Sequence, residues 1–278
     1  MKFQSQQAVR AFILLAFALF LARLHHGGDI SRYVNPAYKW LSQLATGLFL
    51  FLFIIQLSRL WAKKASSCDH GCCGHDHGHS DSRRKTILSY SILLLPLVTG
   101  FLLPVQILNA STAAKKGMAA FQSERTVEVQ EPLVNANEMS DQEYNQKIQA
   151  LHQEEMITLT NELFEPYYGE INAEPSRYIG KNIKMTGFVL KDGDFQQNQL
   201  VLARFLITHC VADATTIGFL TEIEEAASIP QDTWLEIEGT LATTSYNGAT
   251  LPMVKAISWK QVEEPTEPYV FPVLTRIR

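Results

Sequence analysis

Hydrophobic and polar positions divide the chain into two unlike parts. Long apolar runs crowd into the stretch before Asn109, and mixed polarity follows it. Three runs approach the roughly 20 apolar residues that a membrane-crossing helix needs. The first is residues 9–24 (VRAFILLAFALFLARL), short and bounded by Arg10 and Arg23. The second is residues 37–61, with the core LATGLFLFLFIIQL. The third is residues 87–108, where Pro96, Gly100 and Pro104 predict a kinked helix. No small-x-small cleavage site follows the first run, so it is read as a retained span, not a signal peptide. The expected membrane domain is therefore residues 1–109, with three spans and a connecting loop at 62–86.

The pattern changes beyond this. A polar linker is expected over residues 110–139, then one amphipathic helix from Ser140 to Phe164. Ser140 with Glu143 three places on has the form of a capping box, and Tyr144, Ile148, Leu151, Met156, Leu159 and Leu163 recur near helical spacing. After Pro175 the period shortens to that of strands. NIKMTGFVLK, QLVLARFLITHC, ATTIGFLTE, TWLEIEGTLATTSY and TLPMVKAISWKQV give five, the last two joined by Asn247-Gly248 as a hairpin. Gly187 and Gly239 lie where strands must bend. Residues 140–278 are thus expected to be mainly β, an OB-fold-like five-stranded barrel, with a short β-sandwich as the alternative.

Basic residues give the spans a direction. Arg59, Lys63, Lys64, Arg83, Arg84 and Lys85 flank the second loop, the densest cytoplasmic signal in the chain. The N-terminus and loop 62–86 are then cytoplasmic, and everything after the third span is extracellular. Lys115 and Lys116, like Arg23, Arg32 and Lys39, run mildly against this. The formal net charge of -4 and the lack of a basic stripe argue against nucleic acid as a partner and leave membrane lipids.

The densest chemistry is at 68–79, CDHGCCGHDHGH. Cys68, His70, Cys72, Cys73, His75, His77 and His79 are sulfur and imidazole donors, and Asp69 and Asp76 add oxygen. Such ligands suit zinc first, or another divalent transition metal. The spacing is not that of a zinc finger, and glycines between the ligands make it a flexible reservoir, fitted to capture, buffering or sensing. A reducing cytoplasm would keep the thiols free. The four cysteines of the chain form no disulfide framework.

Two smaller groups are candidates. In the first loop, His25, His26 and Asp29 are possible ligands of an entry or partner site, while Tyr33, Tyr38 and Trp40 fit an interfacial aromatic belt. At the end of the second strand, RFLITHCVADA places Arg204, His209, Cys210 and Asp213 together. One reading is an outer metal or ligand site of His209, Cys210 and Asp213. The other is a buried thiol, an Arg204–Asp213 ion pair and a turn aspartate. If the strand runs unbroken, Arg204 and Cys210 share a face and His209 takes the other.

HHGGDISRYVNPAYKWLS, CDHGCCGHDHGHSD, LLPLVTGFLLP with NASTAAKKG, RFLITHCVADA and IEGTL, in this order, make the chain similar to the YcgQ-like family of bacterial membrane proteins across nearly its whole length. The resemblance implies a partner subunit of a larger polytopic permease, without enzyme activity. It also implies a cysteine pair where this chain has His209-Cys210, a departure that weakens a thiol-pair mechanism and leaves a mixed nitrogen–sulfur site open. Three spans are too few to enclose an alternating-access path, and no charge lies mid-span. The leading expectation is an accessory permease subunit handling divalent metal. The alternative is an envelope interaction protein whose extracellular barrel docks a partner, the loop acting as metal buffer or sensor. An enzyme is not expected, because no catalytic triad, phosphate loop or closed catalytic metal motif is present.

Overall fold

The apolar runs form helices longer than their hydrophobic cores: α1 (Ser5–Gly27), α2 (Lys39–Arg59) and α3 (Arg83–Leu102). They belong to one of two compact units in this computed structural model, which describes residues 5–60, 83–103, 108–116, 138–193, 195–246 and 249–276. Phe17 of α1 stacks on Phe49 of α2 at 5.6 Å. Phe20 meets Phe101 of α3 edge-on at 5.4 Å, and Gly100 leaves the space that its ring occupies. Gln56, a polar side chain in an apolar helix, is buried and donates to the Gln7 side chain, which satisfies it inside the pair. Phe12, Leu44, Phe51, Ile54, Ile92 and Leu95 point outward, more than half exposed.

By length and composition, two described helices can cross a membrane, Gln7–Gly27 and Pro36–Arg59. The third run is a shorter apolar helix over Leu88–Leu102, continuous through Pro96. Pro104 and the tract at 68–79 lie outside the described residues.

The second unit holds Arg32–Tyr38 and everything from Ile107 on. Its centre is a closed barrel of five strands: β3 (Asn182–Leu190), β4 (Gln199–Leu206), β5 (Thr215–Glu222), β6 (Trp234–Tyr246) and β7 (Ala249–Gln261). All five expected strands are present. Going round, β3 pairs β4, β4 pairs β5, β5 runs parallel to β7, β7 pairs β6 and β6 returns to β3. That order is the Greek-key barrel of the OB type. β6 and β7 pair as far as Tyr246↔Ala249, and residues 247 and 248 lie outside the described ones.

Why β4 reads as a near-continuous apolar run is now plain: it is buried on both faces. Leu200 and Leu202 belong to a core with Ile183, Ile217, Phe219 and Ile237. Val201, Ala203 and Phe205 belong to a second cluster with Phe188, Met253 and Tyr269. Ala110 and Ala113 join that second cluster from a short helix, α4 (Ala110–Lys116), and both are fully buried. The stretch read as a linker therefore begins as a packed part of the barrel domain.

The single helix expected from Ser140 to Phe164 is three elements. Ser140, which also ends a three-residue strand β1 (Glu138–Ser140) paired with β9 (Leu274–Arg276), does cap α5 (Asp141–Gln153), its hydroxyl accepting from Glu143 N–H at 3.2 Å. At Glu154 the chain extends into β2 (Met156–Leu159), parallel to the start of β3, and then forms α6 (Phe164–Ala173). Ile157 and Leu159 are buried and alternate with exposed neighbours. A β-branched run beside an open strand edge outweighed helical spacing. Lys181 fixes the helix end, donating to the carbonyls of Leu151, His152 and Glu154 at 2.7–3.1 Å.

Burial of α6 and the turn after it carries a test. Tyr168 and Tyr178 are pushed up to about 12 by burial, with the Glu170 carboxylate adding to the effect at Tyr178. The neutral phenols are favoured in the fold, so their contribution is complete below the unfolded value near 10 and is lost as pH rises toward 12. Burial of Arg204 acts oppositely, but Tyr144, Tyr167 and Tyr269 are raised too and outnumber it. Phenolate absorbance followed with pH should show a late-titrating class that Tyr168→Phe reduces, and unfolding should accompany it.

Candidate functional site

The expected site at the end of β4 rests on where that strand stops. β4 ends at Leu206, four residues before Cys210. Strand alternation therefore does not carry to His209 and Cys210, and Arg204 does not share a face with Cys210. Arg204 makes no ion pair with Asp213 either; the two are separated by the turn at 207–213.

Arg204 instead closes the barrel. β3 and β4 pair only over Phe188–Leu190 against Val201–Ala203. Below that they part, β3 taking β2 as neighbour and β4 taking β8 (Tyr269–Val270). The guanidinium fills the gap. Its Nε donates to Pro268 carbonyl at 3.1 Å, one Nη to Thr186 carbonyl at 3.3 Å, and the other to Asn161 Oδ1 at 2.8 Å and Glu267 carbonyl at 2.9 Å. The ring faces of Trp234 and Phe164 lie 5.3 and 5.9 Å away. With 2 % of its surface exposed, desolvation pulls the guanidinium down to about 10. A planar fork with donors in several directions is what four acceptors on three segments require.

The turn after β4 is organised by Asp213. Its carboxylate accepts from the backbone N–H groups of Thr208 at 3.2 Å, His209 at 2.8 Å and Cys210 at 3.3 Å. The same carboxylate is 3.0 Å from His209 Nδ1. An ionised carboxylate only accepts, so His209 Nδ1 is the donor in this contact. Asp213 is thus occupied as the turn's anchor. His209 is left as a single exposed imidazole donor beside the half-buried Cys210 thiol. Among the described residues no group of three or more His, Cys, Asp and Glu side chains converges as a metal cage, and His209, Cys210 and Asp213 are not gathered into one.

Against this turn lies the chain segment between α1 and α2. Val34 and Cys210 face each other as antiparallel partners. Asn35 N–H donates to His209 carbonyl at 3.0 Å, and Val211 N–H to Tyr33 carbonyl at 2.8 Å. The Asn35 side chain, 5 % exposed, donates to Thr208 carbonyl at 2.8 Å and accepts from Ala37 N–H at 3.0 Å. Tyr38 stacks on the His209 ring, centroids 5.4 Å apart. Tyr38 is therefore a platform for His209, not a free interfacial anchor. Of the first-loop candidates, His25 is bonded to Ser42 Oγ at 2.9 Å and His26 is exposed, and the three are not gathered into one metal-binding group. Nothing local in the sequence marked Asn161. Asn35-Pro36 carries only the local signal of a loop and a helix start.

Similarity to known proteins bears on this arrangement. The DUF1980 N-terminal domain matches residues 9–119, and the DUF1980 C-terminal domain matches residues 134–272. The chain is 31% identical over 281 residues to UPF0703 protein YcgQ of Bacillus subtilis (strain 168), covering 94% of this chain and 98% of that protein. It is 25% identical over 284 residues to a Streptococcus mutans protein whose name proposes it as a subunit of a two-component membrane permease complex, covering 95% and 99%. Apolar N-terminal helices, a closed C-terminal barrel and these end-to-end matches agree, and the chain belongs to the DUF1980 family, the YcgQ-like membrane proteins.

Proposed function

We propose that this protein is the accessory, non-catalytic subunit of a bacterial membrane permease and that it handles a divalent metal, zinc first, through its loop at 68–79. The observation that carries the first half is the match, over 95% of the chain, to a relative named for a two-component permease complex. The outward apolar side chains of α1, α2 and α3 fit contact with lipid or with a larger polytopic subunit. The second half rests on ligand chemistry, seven sulfur and imidazole donors in twelve residues. In the topology we favour, three spans leave that loop cytoplasmic and the barrel outside. The hydrogen bonds of residues 32–38 to the barrel domain support this, since the α1–α2 connection and the barrel then share one side of the membrane. His209 and Cys210 are the donors on that outer side.

The test is reciprocal purification after mild solubilisation, with metal analysis. The tagged chain should bring down one larger polytopic membrane protein at constant ratio, and that protein, tagged, should bring down the chain. Zinc in the complex should fall when the cysteines and histidines at 68–79 become serine, with the partner retained. A chain that purifies alone refutes the subunit role. Equal zinc in both forms refutes the metal role.

A further inference from the structure

We propose that residues 32–38 are a fixed tie, through which the barrel domain holds the connection between α1 and α2. Asn35 lies 172 and 173 residues in sequence from the carbonyls it meets, yet Arg32–Tyr38 folds as part of that unit. The tie is made by backbone, by one buried amide and by one ring. Two backbone bonds flank the Val34–Cys210 pair, a short antiparallel ladder. Asn35 spends its polar groups in both directions, locking its own turn through Ala37 N–H and the barrel's turn through Thr208 carbonyl. Tyr38 covers the imidazole that Asp213 orients. A buried amide whose donors all point to one turn makes release costly, because undocking would have to rehydrate it. The chain also enters the same domain through a second docked segment: Leu108 N–H donates to Tyr269 Oη at 3.0 Å, and Ala110 N–H to the Asp232 carboxylate. Both segments that border the apolar helices in sequence are therefore built into the barrel. This inference goes beyond the permease reading and holds with or without a partner.

The geometry supplies its own probe. In the Val34–Cys210 pair the flanking bonds run from residues 33 and 35 to 211 and 209, which makes it a non-hydrogen-bonded pair. Such pairs bring Cα atoms to about 4.5 Å, within disulfide range. In the full chain, with Cys68, Cys72 and Cys73 replaced by serine, Val34→Cys should form a disulfide with Cys210 under mild oxidant. Tyr33→Cys, shifted by one residue to the opposite side, should do so at least about tenfold more slowly. Asn35→Asp keeps the acceptor for Ala37 and loses the donor to Thr208. It should raise amide hydrogen exchange about tenfold or more at both 32–38 and 207–213, and oxidised Val34→Cys in the same chain should restore protection. Free thiols at 34 and 210 under oxidant, or equal crosslinking from position 33, would overturn the docking. Faster exchange on one side alone would overturn the tie.

Discussion

Arg204→Ala is expected to cost the barrel domain about 4 kcal/mol or more, one of the two largest single-residue effects proposed here. The side chain is 2 % exposed, and it satisfies acceptors on three separate segments: Thr186 in β3, Asn161 before α6, and Glu267 and Pro268 before β8. Each orphaned buried acceptor costs roughly 1–3 kcal/mol, and the emptied space beside Trp234 and Phe164 adds a cavity cost. Replacing buried charge with apolar volume stabilises some proteins, but only when the partners go as well. Here the partners are mostly backbone carbonyls, which no substitution removes. Arg204→Met, which keeps volume and loses every donor, should therefore recover only the cavity part. Arg204→Lys should fall between them, because one ammonium cannot reach four acceptors. Hydrogen exchange at β3 and β4 amides in the full chain measures the local free energy. A methionine variant as protected as the parent would refute the role given to these bonds.

That arginine shows how far the sequence could be read. The five strands were legible because their alternation and turn residues are local signals, whereas the burial of QLVLARFL on both faces emerged only from the fold. Closure into a barrel was legible from the strand number and the bends at Gly187 and Gly239, but which strands seal it was not. β5 and β7 lie side by side in parallel with another strand between them in sequence, and no local pattern encodes that pairing. Arg204 was noticed for its neighbours in sequence, His209 to Asp213, whereas its bonds go to residues 161, 186, 267 and 268. The same limit hid the docking of Asn35, whose partner carbonyls lie 172 and 173 residues away. Misreading 140–164 as one helix has another cause. Met156 and Leu159 fit helical spacing with Leu163, and only the free edge of β3 made a strand, with Ile157 and Leu159 buried, the better burial. The capping signal at Ser140, being local, was right.

Gly218→Val is expected to be as damaging as the loss of Arg204, because it strikes the same closure from the opposite strand. Gly187 and Gly239 were legible as bending points, and in the barrel all three glycines mark close approach of backbones. A Cβ on Gly187 would sit 2.6 Å from Ala203 carbonyl oxygen and 3.1 Å from its nitrogen. A Cβ on Gly218 would run into Leu202 carbonyl oxygen and lie 2.8 Å from Ala203 Cα, and one on Gly239 would run into Lys255 carbonyl oxygen. Two of these glycines thus press on β4 from its two neighbours, at Leu202 and Ala203. Backbone cannot rotate away as a flexible side chain can, so β4 must shift, and its both-faced burial leaves it nowhere to go. Gly218→Ala should cost about 2 kcal/mol or more and Gly218→Val about 4, enough to unfold a marginal domain. The shift would also draw Arg204, two residues beyond Leu202, off its carbonyls. The pair Gly218→Ala with Arg204→Met should then cost less than the sum of the two, a coupling that independent sites would not show. Additive losses in exchange-derived free energy would separate the glycine contacts from the arginine fork.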